Sequence, residues 1–150
     1  MRKKTLYLDY AASTPVDPIV LAAMMPYLKQ EYGNPSSLHS FGQKAAAALE
    51  HSRQATARFL GCDANEIVFV SGATEANNLA IVGLLEALLE KGRTYTDMEV
   101  VTTAIEHPSL RETFQKLARA GLTVRTAPVD ETGKIKLSEL QKLLSRKTVL

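Results

Sequence analysis

Two rhythms alternate along this chain. Short runs rich in β-branched, aromatic or aliphatic residues (Ile67–Val70, Glu99–Ala104, Leu122–Val129 and Thr148–Leu150) have the length and texture of strands. Between them lie longer stretches with helical spacing. Glu75–Lys91 carries Leu79, Val82, Leu85, Ala87 and Leu88 and stops at Gly92. Pro108–Ala120 is closed by Gly121, and Ser138-Glu139-Leu140-Gln141 opens a further helix with the spacing of a capping box. Asp130-Glu131-Thr132-Gly133 reads as a turn. From Ile67 the order is therefore β-α-β-α-β-α-β. This predicts an α/β fold with a mainly parallel sheet, flanking helices and right-handed crossovers. The last strand is only begun at Leu150, so the sequence is expected to continue.

The first third reads differently. Leu6-Tyr7-Leu8 is a short extended piece, and Asp9–Pro15 and Tyr32–Ser37 are loops. Asp17-Pro18 starts a helix, with Asp as N-cap and Pro in the first turn. Its apolar face is Val20, Met24, Tyr27 and Leu28, and Pro26 should kink or shorten it. Ser40-Phe41-Gly42-Gln43 has capping-box spacing and predicts a helix to about Leu60, stopped by Gly61.

Composition narrows the function classes. The 150 residues are 45% hydrophobic and 23% charged, with a net charge of +2. Such a balance suits a globular domain and gives no footing for nucleic acid, because the basic residues are scattered among acidic ones. Met1-Arg2-Lys3-Lys4 is basic but precedes no long apolar run, so neither a secretory signal nor a membrane span is expected. Cys62, the only cysteine, excludes a disulfide within one chain, and no Cys/His spacing suggests a metal. A cytoplasmic domain is the expectation.

Two loops carry candidate chemistry. In Ser71-Gly72-Ala73-Thr74-Glu75 the smallest side chains stand where a strand gives way to a helix. Exposed helix-start amides and the helix dipole there favour an anion such as a phosphate, and Thr74 adds a hydroxyl. Neither a P-loop nor a dinucleotide fingerprint is present. The plainer reading is a tight turn in which Ser71 or Thr74 caps the helix. The second loop, Thr103-Ala104-Ile105-Glu106-His107-Pro108, leaves another strand at the same edge of the sheet. His107 falls at or next to a helix N-cap, where a neutral ring is favoured and could stack on a planar group or move a proton. Its plainer reading is a capping histidine. His39 and His51 read as solvated, and Cys62 as structural.

Four stretches, "YLDYAASTPVDP" (7–18), "YGNPSSLHSFG" (32–42), "EIVFVSGATEANNLAI" (66–81) and "TTAIEHPSL" (102–110), resemble, in order and spacing, the N-terminal part of cysteine desulfurases of the NifS/IscS type. These are class V members of the aminotransferase-like fold that uses pyridoxal 5'-phosphate. The resemblance implies a short N-terminal arm (1–15) and an incomplete cofactor-binding large domain (16–150). It places the cofactor phosphate on Ala73 and Thr74, and the pyridine ring under His107, the candidate catalytic residue. It further implies a transferase that removes sulfur from L-cysteine, leaving L-alanine and an enzyme persulfide. The sulfur would go to an iron–sulfur scaffold or another acceptor, and a homodimer is expected.

Alternatives left open are another class V enzyme such as a selenocysteine lyase, a non-catalytic fragment that binds a partner, and a generic phosphate or nucleotide binder. In the family, the lysine that holds the cofactor and the nucleophilic cysteine lie further along the chain, and no residue here matches either. These 150 residues by themselves are accordingly expected to release no alanine from L-cysteine in a purified assay; measurable release would overturn that expectation.

Overall fold

The computed structural model describes residues 6–150. The first five residues of the expected N-terminal arm, including the basic Met1–Lys4, lie outside them. The chain divides into two compact units, Met1–Val68 and Phe69–Leu150.

The first unit is helical. Helix α1 (Pro18–Lys29) begins as expected: Asp17 Oδ1 accepts from the Ile19 amide at 2.7 Å, and Pro18 occupies the first turn. Pro26 lies inside it and has no N–H for the helical ladder, and the helix ends at Lys29. Val20, Met24, Tyr27 and Leu28, the apolar face read from the sequence, are all exposed.

Helix α2 (Ser40–Leu60) ends as predicted, with Gly61 in the left-handed region at φ 72°. Its start differs by one residue. His39, not Ser40, is the N-cap, and its Nδ1 accepts from the Gly42 amide at 3.4 Å. The imidazole of the preceding residue supplies the acceptor that the serine motif offers. A further constraint sits beside this cap. A Cβ on Gly42 would overlap the Ser37 carbonyl oxygen and lie 2.7 Å from that of Asn34, while one on Gly33 would overlap the Phe41 carbonyl. The 33–37 loop and the first turn of α2 meet backbone to backbone, which only glycine permits.

The second unit holds the sheet. Strand β1 (Glu99–Thr103) pairs in parallel with β2 (Thr123–Ala127), in a register running from Glu99 opposite Thr123 to Thr103 opposite Ala127. Helix α4 (Pro108–Arg119) connects them, closing at Ala120 with Gly121 at φ 103°. The expected final strand is present as the start of a third parallel partner. The Glu99 amide donates to the Lys147 carbonyl, Val149 N–H to the Glu99 carbonyl, and Val101 N–H to the Leu150 carbonyl, each at 2.9 Å.

Ile67–Val70 is a correction. It straddles the boundary between the units and belongs to neither assigned strand, although Ile67 has extended backbone angles. Strand character in sequence is a local preference, whereas a strand is completed by a neighbour.

Helix α3 (Ala73–Glu90) starts two residues before the predicted Glu75 and runs to the predicted glycine, Gly92, at φ 85°. Its buried stripe is Ile81 and Leu85, with Leu88 and Leu89 packed beside them; Leu79 and Ala87, read as part of the face, are exposed. Helix α5 (Leu137–Leu143) begins one residue before Ser138, and no side-chain hydrogen bond caps it at Lys136. Ser138 is therefore inside the first turn and does not cap it. The Asp130–Gly133 turn forms as read, with Asp130 Oδ1 accepting from the Thr132 and Lys134 amides.

One core unites the second unit: Ile81 and Leu85 from α3, Met98 and Val100 at β1, Phe114 and Leu117 from α4, and Leu122. Glu99 is the buried charged residue among those described, and it is paired. Arg125 grips it with two hydrogen bonds of 3.1 Å, and Ser145 Oγ donates to it at 2.9 Å. Those bonds, Arg125 first, hold the Glu99 carboxyl below its ordinary value. The ion pair fastens β2 to β1, and the Ser145 hydrogen bond fastens the 145–148 turn to the same carboxylate.

Leu85 is fully buried in this core, whereas Leu79 on the same helix is half exposed. Leu85→Ala should lower unfolding stability by roughly 2–5 kcal/mol and Leu79→Ala by well under half of that, measured by denaturant unfolding.

Candidate functional site

The site grows from two helix starts in the second unit. At α3 the N-cap is Gly72, which has no side chain to close the turn, and no side-chain hydrogen bond caps the helix. Glu75 reaches back instead. Its Oε2 accepts from the Ser71 amide at 2.7 Å and from Ser71 Oγ at 2.5 Å. Neither Ser71 nor Thr74 caps the helix, and Glu75 instead holds Ser71, the residue before the N-cap. Ser71 is occupied by this carboxylate, while the Ala73 and Thr74 amides meet no side-chain acceptor among the described residues. A Cβ built on Gly72 would meet nothing within 4 Å, so open space borders the turn. Amides at a helix start, backed by the dipole and facing open space, form an anion-binding arrangement.

At α4 the N-cap is His107, with Pro108 in the first turn. Its Nδ1 accepts from the Ser109 amide at 3.2 Å and lies 2.9 Å from Ser109 Oγ. The capping role considered for this residue is real, but it uses only one ring nitrogen. The ring is otherwise exposed at the end of the loop that leaves β1. Behind it, Glu106 Oε1 accepts from Thr103 Oγ1 at 2.7 Å and steadies the loop.

The two starts are tied to one another. Asn77 Nδ2 donates to Ser109 Oγ at 3.1 Å, and Thr113 Oγ1 donates to Asn78 Oδ1 at 2.8 Å. Residues one turn into α3 thus meet the first turns of α4, and further along both helices Ile81, Leu85, Phe114 and Leu117 share the core. The helices run in the same sense, so their N-termini lie at one end, where β1 also ends. The sequence predicts this meeting from two strands that end at one edge of the sheet. The structure achieves it through a helix–helix contact, and the residues that make it, Asn77, Asn78, Ser109 and Thr113, were missed. Their signal was a polar residue facing a helix surface that is otherwise apolar.

A cleft of about 340 Å³ lies beside this edge, lined by Thr103, Glu106, Arg111, Phe114, Val124 and Thr126 among others. Neither Thr74 nor His107 lines it. The helix-start chemistry and not the enclosed volume marks the candidate site, since the amides and the ring face open space. Cys62 lies in the first unit, just beyond the end of α2, where its amide donates to the Ala57 carbonyl at 3.1 Å.

A parallel α/β unit whose helix starts gather at the carboxyl end of a strand is the architecture of proteins that bind a ligand at that edge. The chain belongs to the aminotransferase class V family, whose model matches residues 6–150. It is 40% identical to the cysteine desulfurase IscS of Dictyoglomus turgidum over 99% of this chain and 36% of that protein. It is likewise 40% identical to a cysteine desulfurase of Rattus norvegicus, over 98% of this chain and 32% of the other. Among solved structures, a NifS-like protein superposes with a TM-score of 0.87 at 37% identity, covering 95% of this chain and 38% of that one. A structure of SspA in complex with cysteine gives a TM-score of 0.84 at 36% identity, covering 96% and 40%. The chain spans about a third of the length of the curated relatives it matches.

Glu75 supplies a pH test of the α3 start. Hydrogen bonds from the Ser71 hydroxyl, then from its amide, hold the Glu75 carboxyl below its ordinary value. The turn is therefore held in full above the ordinary carboxylate range, about 4.3, and released as pH falls through the lowered value. The Ser71 amide resonance should titrate with a midpoint below that of a free glutamate and lose the titration in Glu75→Gln. A midpoint at or above the free value would contradict the bonded geometry.

Proposed function

We propose that this chain forms the N-terminal part of the cofactor cradle of a pyridoxal-phosphate-dependent cysteine desulfurase. The observation that carries the reading is the uncapped α3 start at Gly72, bound through Asn77 and Ser109 to the exposed ring of His107. It is supported by the identity to proteins named as cysteine desulfurases.

The residues fit the group. A phosphate dianion needs convergent N–H and O–H donors, and Ala73 N–H, Thr74 N–H and Thr74 Oγ–H are donors at a dipole-positive helix end. His107, anchored at Nδ1, can lay its face on a planar heterocycle and keep Nε2 available to hold or pass a proton. Pyridoxal phosphate, when bound, supplies an electron sink for bond cleavage at an amino-acid substrate. The overall reaction takes an enzyme thiol and L-cysteine to an enzyme persulfide and L-alanine: the C–S bond breaks, an S–S bond forms, and the thiol proton ends on carbon. The thiol and the lysine that holds the cofactor would be supplied by the remainder of a relative-length protein. The same reading extends to a homodimer in the cytoplasm that hands sulfur to an iron–sulfur scaffold or another acceptor.

Titration of the labelled chain with pyridoxal phosphate, followed by amide and histidine-ring resonances, tests the cradle. The Ala73 and Thr74 amides and the His107 ring should all shift, whereas inorganic phosphate should shift the amides alone. Thr74→Val, which removes one hydroxyl donor to a charged acceptor, should weaken binding about tenfold, near 1.4 kcal/mol. Saturating cofactor that leaves both amides unmoved would end this reading.

A further inference from the structure

The hydrogen bonds around His107 fix more than its position. Asn77 Nδ2, Ser109 Oγ and His107 Nδ1 form a continuous chain, with separations of 3.1 and 2.9 Å. A hydroxyl in the middle of such a chain can point its proton either way, so these distances alone leave two polarities. In one, Asn77 donates to Ser109 and Ser109 donates to the ring. In the other, the ring donates from Nδ1 and the side-chain amide of Asn77 is turned over to accept.

The Ser109 backbone removes the ambiguity. Its N–H lies 3.2 Å from Nδ1, and a backbone N–H can only donate. Nδ1 must therefore present a lone pair, and the reverse polarity would set two N–H donors against each other. With Nδ1 as acceptor, Ser109 Oγ–H can share that lone pair with the backbone N–H, and the hydroxyl lone pairs are free to receive Asn77. Every donor then faces an acceptor. A neutral imidazole with a bare Nδ1 carries its proton on Nε2.

We propose that Ser109, through its backbone N–H and its hydroxyl, and Asn77, by orienting that hydroxyl, are positioning residues that hold His107 in the Nε2–H tautomer. The ring then offers a ligand a proton donor at Nε2, suited to an oxygen or carboxylate acceptor. The use of this proton on a cofactor or amino acid rests on the reading above; the tautomer itself does not. The comparison within the molecule is His39, another histidine N-cap. Its Nδ1 accepts from Gly42 N–H at 3.4 Å, with no hydroxyl added. At His107 a second helix adds an oriented hydroxyl to the backbone donor.

The test uses the ligand-free chain with 15N-labelled histidine, at a pH above the ordinary imidazole value of about 6.5. Two-bond 1H–15N correlations report which ring nitrogen carries the proton. His107 should be predominantly Nε2–H. Asn77→Asp replaces a donor with an acceptor, turns the Ser109 proton away from the ring, and should raise the Nδ1–H fraction several-fold. Ser109→Ala leaves the backbone N–H as the sole donor on Nδ1 and should raise the Nδ1–H fraction, and Ser109→Thr should restore the wild-type pattern. Thr113→Ala cuts the neighbouring tie between the same helices without touching the ring and should leave the tautomer unchanged, which separates positioning from general loosening.

A predominantly Nδ1–H ring in the wild type would overturn the proposal. So would an unaltered tautomer in both Asn77→Asp and Ser109→Ala. Failure of pyridoxal phosphate to shift Ala73 and Thr74 bears only on the cofactor reading, so the two can fail separately.

Discussion

Burial of Leu85, Met98 and Val100 is the interaction on which the second unit depends. Each is wholly removed from solvent, and they come from α3, the entry to β1 and β1 itself. Phe114 and Leu117 close the same core from α4. Once these side chains interlock, the sense in which α3 and α4 run is no longer free. Both helices must start at the end where β1 finishes. The candidate site is thus a consequence of the packing, because two helix N-termini cannot be brought together without first aligning the helices on a shared apolar face.

Electrostatics then decide what that end is good for. Two neighbouring helix starts concentrate positive partial charge and unsatisfied N–H groups. The chain meets part of this demand internally: Glu75 occupies Ser71, and His107 accepts from Ser109. What remains, at Ala73 and Thr74, faces outward. Between this polar end and the apolar core lies a thin layer of paired side chains, Asn77 with Ser109 and Asn78 with Thr113. Each pair bridges the two helices, and Asn78 and Thr113 also bond carbonyls one turn back on their own helices. Sliding one helix along the other would break both pairs, so the layer fixes the relative height of the two starts.

In the first unit the governing constraint is steric. The 33–37 loop and the first turn of α2 approach until carbonyl oxygens sit where side chains would begin, so Gly33 and Gly42 are required by contact and not by backbone angle. Composition could not reveal this, because a glycine chosen for close approach looks the same in sequence as one chosen for a turn. The shift of the α2 cap from Ser40 to His39 has a related cause. Several residues near a helix start can accept an amide proton, and the one that does so depends on the path by which the loop arrives.

What could be read from the residues alone was whatever local chemistry decides. Asp17-Pro18 opened α1, Gly61, Gly92 and Gly121 closed their helices, His107 stood at the head of α4, and Val100 and its neighbours formed a strand. The motifs also pointed to Ala73, Thr74 and His107, because helix-start donors and a cap-position imidazole are local features. Tertiary structure alone decided the rest. Ile67–Val70 has strand texture without joining the assigned sheet, Ile81 and not Leu79 faces the core, and Asn77 reaches across to Ser109. The physical reason is distance along the chain. Caps and turns are completed within a few residues, whereas ladders, buried faces and hydrogen bonds between helices need a partner that only folding brings near.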